Sequence, residues 1–194
     1  MLKLNKVKSE PTQNNTRNRS GSHMSRIVII NGANAASSRV SAVQQYIEQT
    51  MNDVTSIEVF KLPADDLLTA NFNSEHIQSV NQIVEKAESV VVITPVYKAA
   101  YTGILKTYLD LLPQKGLENK TILPIAVGGS LAHLLSLEYA LKPLLSVLGA
   151  TTILHPVYLI DKQIERIDNG SFIIEKEVIQ RLEKELNKLL HATI

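Results

Sequence analysis

Short apolar runs rich in β-branched residues alternate along this chain with longer amphipathic stretches. Arg26-Ile27-Val28-Ile29-Ile30-Asn31 is one such run; it ends at Gly32 and reads as a buried strand. Ser37 and Ser38 offer an N-cap, after which Val40, Val43, Ile47 and Met51 recur at helical spacing. Residues 56–60 alternate and read as an edge-side strand, and 62–70 as a loop with a helical turn. Over 74–87 the spacing predicts a helix with Ile77, Val80, Ile83 and Val84 on one face. A third strand at 90–94 leads into a helix over 102–112, which Pro113 helps to end. Residues 121–127 form a fourth strand closed by Gly128-Gly129, and a long helix covers 131–148. The fifth strand is expected over 151–159, a polar loop over 161–170, and a charged amphipathic helix over 175–190.

Strand and helix thus alternate five times, and most of the strands are apolar throughout. Such strands are buried on both faces, so the fold class is α/β: a doubly wound, five-stranded parallel sheet. Five strands favour the flavodoxin-like order 2-1-3-4-5 over a six-stranded dinucleotide fold. In that architecture ligands sit outside the carboxyl ends of the strands.

The 194 residues are enough for one domain. Gly21-Ser22-His23-Met24 resembles the scar of a cleaved tag, and residues 1–20 are polar, aperiodic and basic. Residues 1–23 therefore read as a disordered expression leader and 24–194 as a single domain; a native disordered arm is the other reading of the leader. Lys3, Lys6, Lys8, Arg17 and Arg19 stand against Glu10, so the formal charge of +1 becomes about −3 once those residues are set aside. Nothing basic then remains to suggest nucleic acid. The chain has no cysteine, which excludes disulfide, thiol-nucleophile and zinc-thiolate chemistry. No apolar run nears the roughly 20 residues that span a bilayer, and no signal sequence precedes Met24. The expectation is a cytoplasmic protein with no membrane partner.

Three loops fall on the carboxyl edge of the predicted sheet. The first runs from Gly32 to the helix start with one glycine, too few for a dinucleotide fingerprint, and lacks the Gly-Lys-Ser/Thr of a Walker loop. Hydroxyls at Ser38 and Ser41, the guanidinium of Arg39 and the helix-end N–H groups suit a terminal phosphate monoester. An ordinary capped helix with a solvated arginine uses the same residues. The second loop, Pro95, Val96, Tyr97 and Lys98, is stiffened by its proline and offers peptide groups to the polar edge of a planar ring. Tyr97, Tyr101 and Tyr108 can equally be boundary aromatics of a helix start. The third, Gly128, Gly129 and Ser130, allows close backbone approach and can cap the helix that follows. His133 reads as a structural histidine.

The segment Thr94-Pro95-Val96-Tyr97-Lys98-Ala99-Ala100-Tyr101-Thr102-Gly103, with Leu109-Asp110-Leu111-Leu112-Pro113 downstream, resembles the NAD(P)H-dependent FMN reductases of two-component alkanesulfonate monooxygenase systems. Leu123-Pro124-Ile125-Ala126-Val127-Gly128-Gly129-Ser130-Leu131-Ala132-His133 and Tyr139-Ala140-Leu141-Lys142-Pro143 extend the resemblance over about 26–157. It implies a flavodoxin-like fold that takes FMN and NAD(P)H and passes reduced flavin to a monooxygenase. It places the flavin phosphate on Ser38, Arg39 and Val40, with Ser41 beside them. Ring and ribityl contacts fall on Pro95, Val96, Tyr97, Lys98, Gly128, Gly129 and Ser130. Ala33 and Ala35 stand where relatives usually carry a serine and an arginine, which implies looser flavin retention.

Pro143 cannot supply the N–H that would bond the carbonyl of Tyr139, so the helix must kink or widen there, and a π-bulge is one way. The resemblance implies a tyrosine insertion at such a bulge, placed at a subunit interface of a homo-oligomer, with a tetramer expected. A proline kink inside a monomer core is the other reading. The reaction implied is hydride transfer between two cofactors, which asks no catalytic acid, base or nucleophile of the protein. Its rivals are an FMN-retaining quinone or azo reductase and a flavodoxin-type electron carrier.

Overall fold

In the computed structural model, which describes residues 27–167 and 171–191, the apolar runs assemble into one parallel sheet in the order β2-β1-β3-β4-β5. The proposed leader at 1–23 lies outside the described residues. The strands are β1 Ile27–Asn31, β2 Val54–Glu58, β3 Ser89–Pro95, β4 Thr121–Gly128, β5 Thr152–Ile153 and β6 Val157–Ile160. The helices are α1 Arg39–Thr50, α2 Ala64–Leu68, α3 Glu75–Lys86, α4 Gly103–Leu109, α5 Lys142–Val147 and α6 Lys176–His191.

Although β1, β3 and β4 are buried along their whole length, their side chains still divide by the period of two. Val28, Ile30, Val90, Val92 and Ile122 point to the layer containing α3, α4 and α5, where Ile77, Leu105, Tyr108 and Leu145 meet them. Ile27, Ile29, Val91, Ile93 and Leu123 point to the layer of α1 and α6, against Val43, Ile47, Val178 and Leu182. Each strand thus faces helices on both sides, which makes β-branched side chains the suitable filling.

The fifth strand is broken, contrary to the continuous run expected over 151–159. β5 pairs with Thr121 and Ile122, and β6 with 125–128, so on this side β4 has no ladder partner at Leu123 and Pro124. The Ile122 carbonyl accepts from Leu154 N–H at 2.8 Å, so alternate residues of β4, including Pro124, face the fifth strand. Pro124 has no donor to offer there and Pro156 has none to return, and the strand parts at that point.

The long helix expected over 131–148 is also broken. A 3-10 turn covers Leu131–His133, a π-helical turn Leu137–Leu141, and α5 starts at Lys142. Lys142 N–H bonds the Leu137 carbonyl five residues back. The wider turn steps around the missing donor of Pro143. The polar loop expected over 161–170 contains a further departure: β7, Ile164–Arg166, pairs antiparallel with β8, Phe172–Ile174.

Register puts Asn31 level with Ile93, Pro95 with Val127, and Gly128 with Ile160. The chain therefore leaves β1, β3, β4 and β6 along one edge. All the candidate chemistry lies there.

Candidate flavin site

Two side-chain networks shape the first loop. Asn31, fully buried, accepts from Ala33 N–H at 2.8 Å and donates to Gln44 at 2.6 Å; Gln44 in turn donates to Glu48 at 2.9 Å. This chain of amides anchors the loop to α1. Gly32 gives its N–H to the Ile93 carbonyl at 2.8 Å, and its own carbonyl accepts from the Thr102 hydroxyl at 2.6 Å. A Cβ on Gly32 would lie 2.6 Å from Leu105 Cβ, so the glycine here serves the close packing of α4.

Thr102 joins the first loop to the second. Its hydroxyl also accepts from Leu105 N–H at 3.2 Å, capping α4, and its own N–H donates to the Thr94 hydroxyl at 3.2 Å. Between these threonines, Tyr97 and Ala100 exchange backbone bonds of 2.9 and 3.2 Å around Lys98 and Ala99. Both central residues are left-handed, with φ of 50° and 63°. That is the geometry of a type I′ turn, which normally takes Asn-Gly. Strain of this sort, on the order of 1 kcal/mol per residue, concentrates at ligand sites.

The third loop is set by Tyr158 of β6, which is 2% exposed and donates its hydroxyl to the Ser130 carbonyl at 2.7 Å. Burial, helped by the charge of Asp161, raises the Tyr158 pKa, so the donor proton stays in place across the working range. The same hydroxyl occupies the space beside Gly128, where a Cβ would lie 2.0 Å away.

These loops enclose a cleft of about 280 Å³. Asn34, Ala35, Ser37, Ser38, Arg39 and Val40 line it from the first loop; Pro95, Val96 and Tyr97 from the second; Val127, Gly128 and Gly129 from the third. Ser38 caps α1, its hydroxyl accepting from Val40 N–H at 3.3 Å. A Cβ on Gly129 would meet no protein atom within 4 Å, so this wall is open. Of the eleven binding residues expected from the sequence, eight line the cleft; Ser41, Lys98 and Ser130 do not. Ser41 is buried with its hydroxyl unpartnered, Lys98 is exposed on the strained turn, and exposed Ser130 caps the 3-10 turn through Ala132 N–H at 3.3 Å. Of the three tyrosines, Tyr97 lines the cleft, whereas Tyr108 is wholly buried and belongs to the core. Ala33 is buried among core side chains and Ala35 lines the cleft, so a larger polar residue would reach the ligand space from position 35 only.

Asp161 and Arg166 complete the lining and were not among the residues expected from the sequence. Arg166 lies on β7, and its guanidinium donates to the Ser37 carbonyl and rests on the Phe172 ring, 5.8 Å from the centroid. A larger cleft, about 720 Å³, lies at the amino end of β4, between α3 and the segment 111–120. It is at the opposite edge of the sheet from the three loops.

A family model described as NADPH-dependent FMN reductase matches residues 25–165. The chain belongs to this family. An FMN reductase (NADPH) of Pseudomonas putida is 40% identical over 170 residues, covering 86% of this chain and 85% of the relative. One from Escherichia coli is 42% identical over 144 residues, covering 72% and 75%. Among solved structures, an NADH:FMN oxidoreductase in its apo form is similar with a TM-score of 0.72 and 28% identity, over 84% of this chain and 87% of that one. The protein is accordingly an oxidoreductase of the NAD(P)H-dependent FMN reductase type, with FMN and NAD(P)H as its cofactors. The lining suits a flavin mononucleotide: two guanidiniums and the capped start of α1 offer donors to a phosphate, and peptide groups beside an open glycine wall offer edges to a ring. Among the described residues no group of side chains is arranged to hold a metal, and no helix is long and apolar enough to cross a membrane.

Proposed function

We propose that FMN lies across the three loops, with its phosphate on Ser38, Arg39 and Val40 and its ring along Pro95, Val96, Tyr97, Gly128 and Gly129. Bound there, FMN would supply the hydride-accepting chemistry, with NAD(P)H as the donor. The protein's own part is positional. Ser38 fixes the start of α1, and Thr102, bonded to the Thr94 hydroxyl and to the Gly32 carbonyl, ties the second loop to the first. Tyr158 holds the Gly128–Ser130 turn flat against the cleft. Stacking two planar rings in a defined site replaces a bimolecular encounter with an oriented one. The observation that carries this reading is one cleft lined jointly by all three loops.

The reduced flavin is handed to a partner monooxygenase of the sulfonate-cleaving kind, and FMN behaves as a substrate that leaves. An open site of modest volume with alanine at 35 supports release over retention. Anaerobic mixing with NADPH and stoichiometric FMN tests the activity, with loss of flavin absorbance as the expected result. Ultrafiltration of the product mixture tests release: flavin retained with the protein, together with quinone turnover, would instead favour the FMN-retaining reductase.

The chain is also proposed to work as a homo-oligomer, a tetramer, in the cytoplasm. Leu131, Leu134, Leu135, Tyr139 and Val147 are exposed on and around the π-helical segment, Tyr139 at 78% and Val147 at 80%. An apolar face of this kind suits self-association. Light scattering on the purified protein checks it, with a tetramer mass expected and a monomer mass contrary to the proposal.

A further inference from the structure

We infer that Arg166, carried on the β7–β8 hairpin, is a phosphate-binding residue that makes the anion end of the cleft net positive and so selects FMN over unphosphorylated flavin. The inference rests on the flavin-site reading above. The charged side chains lining the cleft are Arg39, Asp161 and Arg166. With Arg39 and Asp161 alone the lining would be neutral, a poor receptor for a dianion. Arg166 tips the balance. The family match ends at residue 165, one position before it.

The geometry is reciprocal. Arg39, at the start of α1, gives Nε–H to the Ile164 carbonyl of β7 at 3.2 Å, while Arg166 of β7 donates back to the Ser37 carbonyl. Each arginine therefore fastens the hairpin to the phosphate loop, and Phe172 of β8 supports the Arg166 guanidinium from one face. A guanidinium carries five donors in a rigid fork, so one carbonyl bond does not exhaust it. Two such forks on one cleft suit the oxygens of a phosphate monoester. Arg166 also brings, from a distant part of the chain, a positive charge to the cleft that Ala35 lines.

Phosphate monoesters occur on FMN and on the adenosine ribose of NADPH, and affinity measurements separate them. Flavin fluorescence gives dissociation constants for FMN and riboflavin with the wild type, Arg166→Ala and Arg166→Lys; steady-state rates give KM for NADPH and NADH. For Arg166→Ala the expected result is an FMN constant raised about tenfold or more, as befits a lost charge-assisted bond. The riboflavin constant should stay within about twofold, with Arg166→Lys between wild type and alanine for FMN. FMN and riboflavin weakened alike would make Arg166 merely structural and overturn the inference. So would an unchanged FMN constant, with or without a raised KM for NADPH. A wild-type preference for FMN over riboflavin that is undiminished in Arg166→Ala overturns the inference alone. A wild type that binds riboflavin as tightly as FMN overturns the flavin-phosphate reading and the inference with it.

Discussion

Replacing Gly128 by alanine sets one methyl against one hydroxyl. The new Cβ would lie 2.0 Å from the Tyr158 oxygen, 3.0 Å from the carbon that bears it and 3.3 Å from Val96 Cβ. Tyr158 is 2% exposed and cannot swing to solvent, so its ring must shift and the 2.7 Å bond to the Ser130 carbonyl is lost. Overpacking of this kind costs about 1–3 kcal/mol and the bond about 0.5–1.5 kcal/mol. The sum is roughly 2–4 kcal/mol. Tyr158→Phe alone forfeits the bond only, about 0.5–1.5 kcal/mol. The double variant removes the oxygen that the methyl strikes and has no bond left to lose. It should therefore be no less stable than Gly128→Ala by itself, a favourable coupling of at least about 0.5–1.5 kcal/mol. Urea unfolding of the four proteins gives the cycle, and FMN titration of the same set reports whether the Gly128–Ser130 turn has moved. Strictly additive losses would refute the contact and the role of Tyr158 in setting the turn.

Three further outcomes follow from buried or strained groups. Thr102→Val removes the N-cap of α4 and the clip to the Gly32 carbonyl; urea unfolding should show a loss of about 2–3 kcal/mol, with Thr102→Ser recovering most of it. Ala99→Gly relieves a left-handed φ of 63°; calorimetry should show Tm unchanged or raised by about 2–4 °C, and a clear fall would mean that this turn is not the solution conformation. Lys120, 8% exposed, donates to the Glu85 and Ala87 carbonyls at 2.7 and 2.8 Å at the end of α3. Lys120→Met should cost about 2–3 kcal/mol in chemical denaturation, and a change below about 0.5 kcal/mol would show those bonds to be unimportant.

The strand order was legible because parallel strands buried on both faces read as apolar runs, and β1, β3 and β4 fall within a residue or two of their expected bounds. The widening near Tyr139 followed from one missing donor at Pro143. The broken fifth strand was not legible in the same way. Its cause is a facing pair, Pro124 and Pro156, and neither proline reveals its neighbour in one dimension. The β7–β8 hairpin escaped because Ile164–Arg166 and Phe172–Ile174 are three residues each, too short to show a period. With it went Arg166, whose carbonyl partner lies 129 positions away. Local residue type identified the three loops; which side chains enter the space between them depended on local geometry, the turns setting Lys98 and Ser130 aside and the buried face of α1 taking Ser41.

A crystal structure of the protein soaked in FMN is the sharpest test of the proposed mononucleotide site across three turns on the carboxyl edge of the sheet. Flavin phosphate density is expected against Ser38, Arg39 and Val40, with the ring along Pro95–Tyr97 and Gly128–Gly129. Density for the flavin in the larger cleft between α3 and the segment 111–120, with the three-loop cleft vacant, would contradict it.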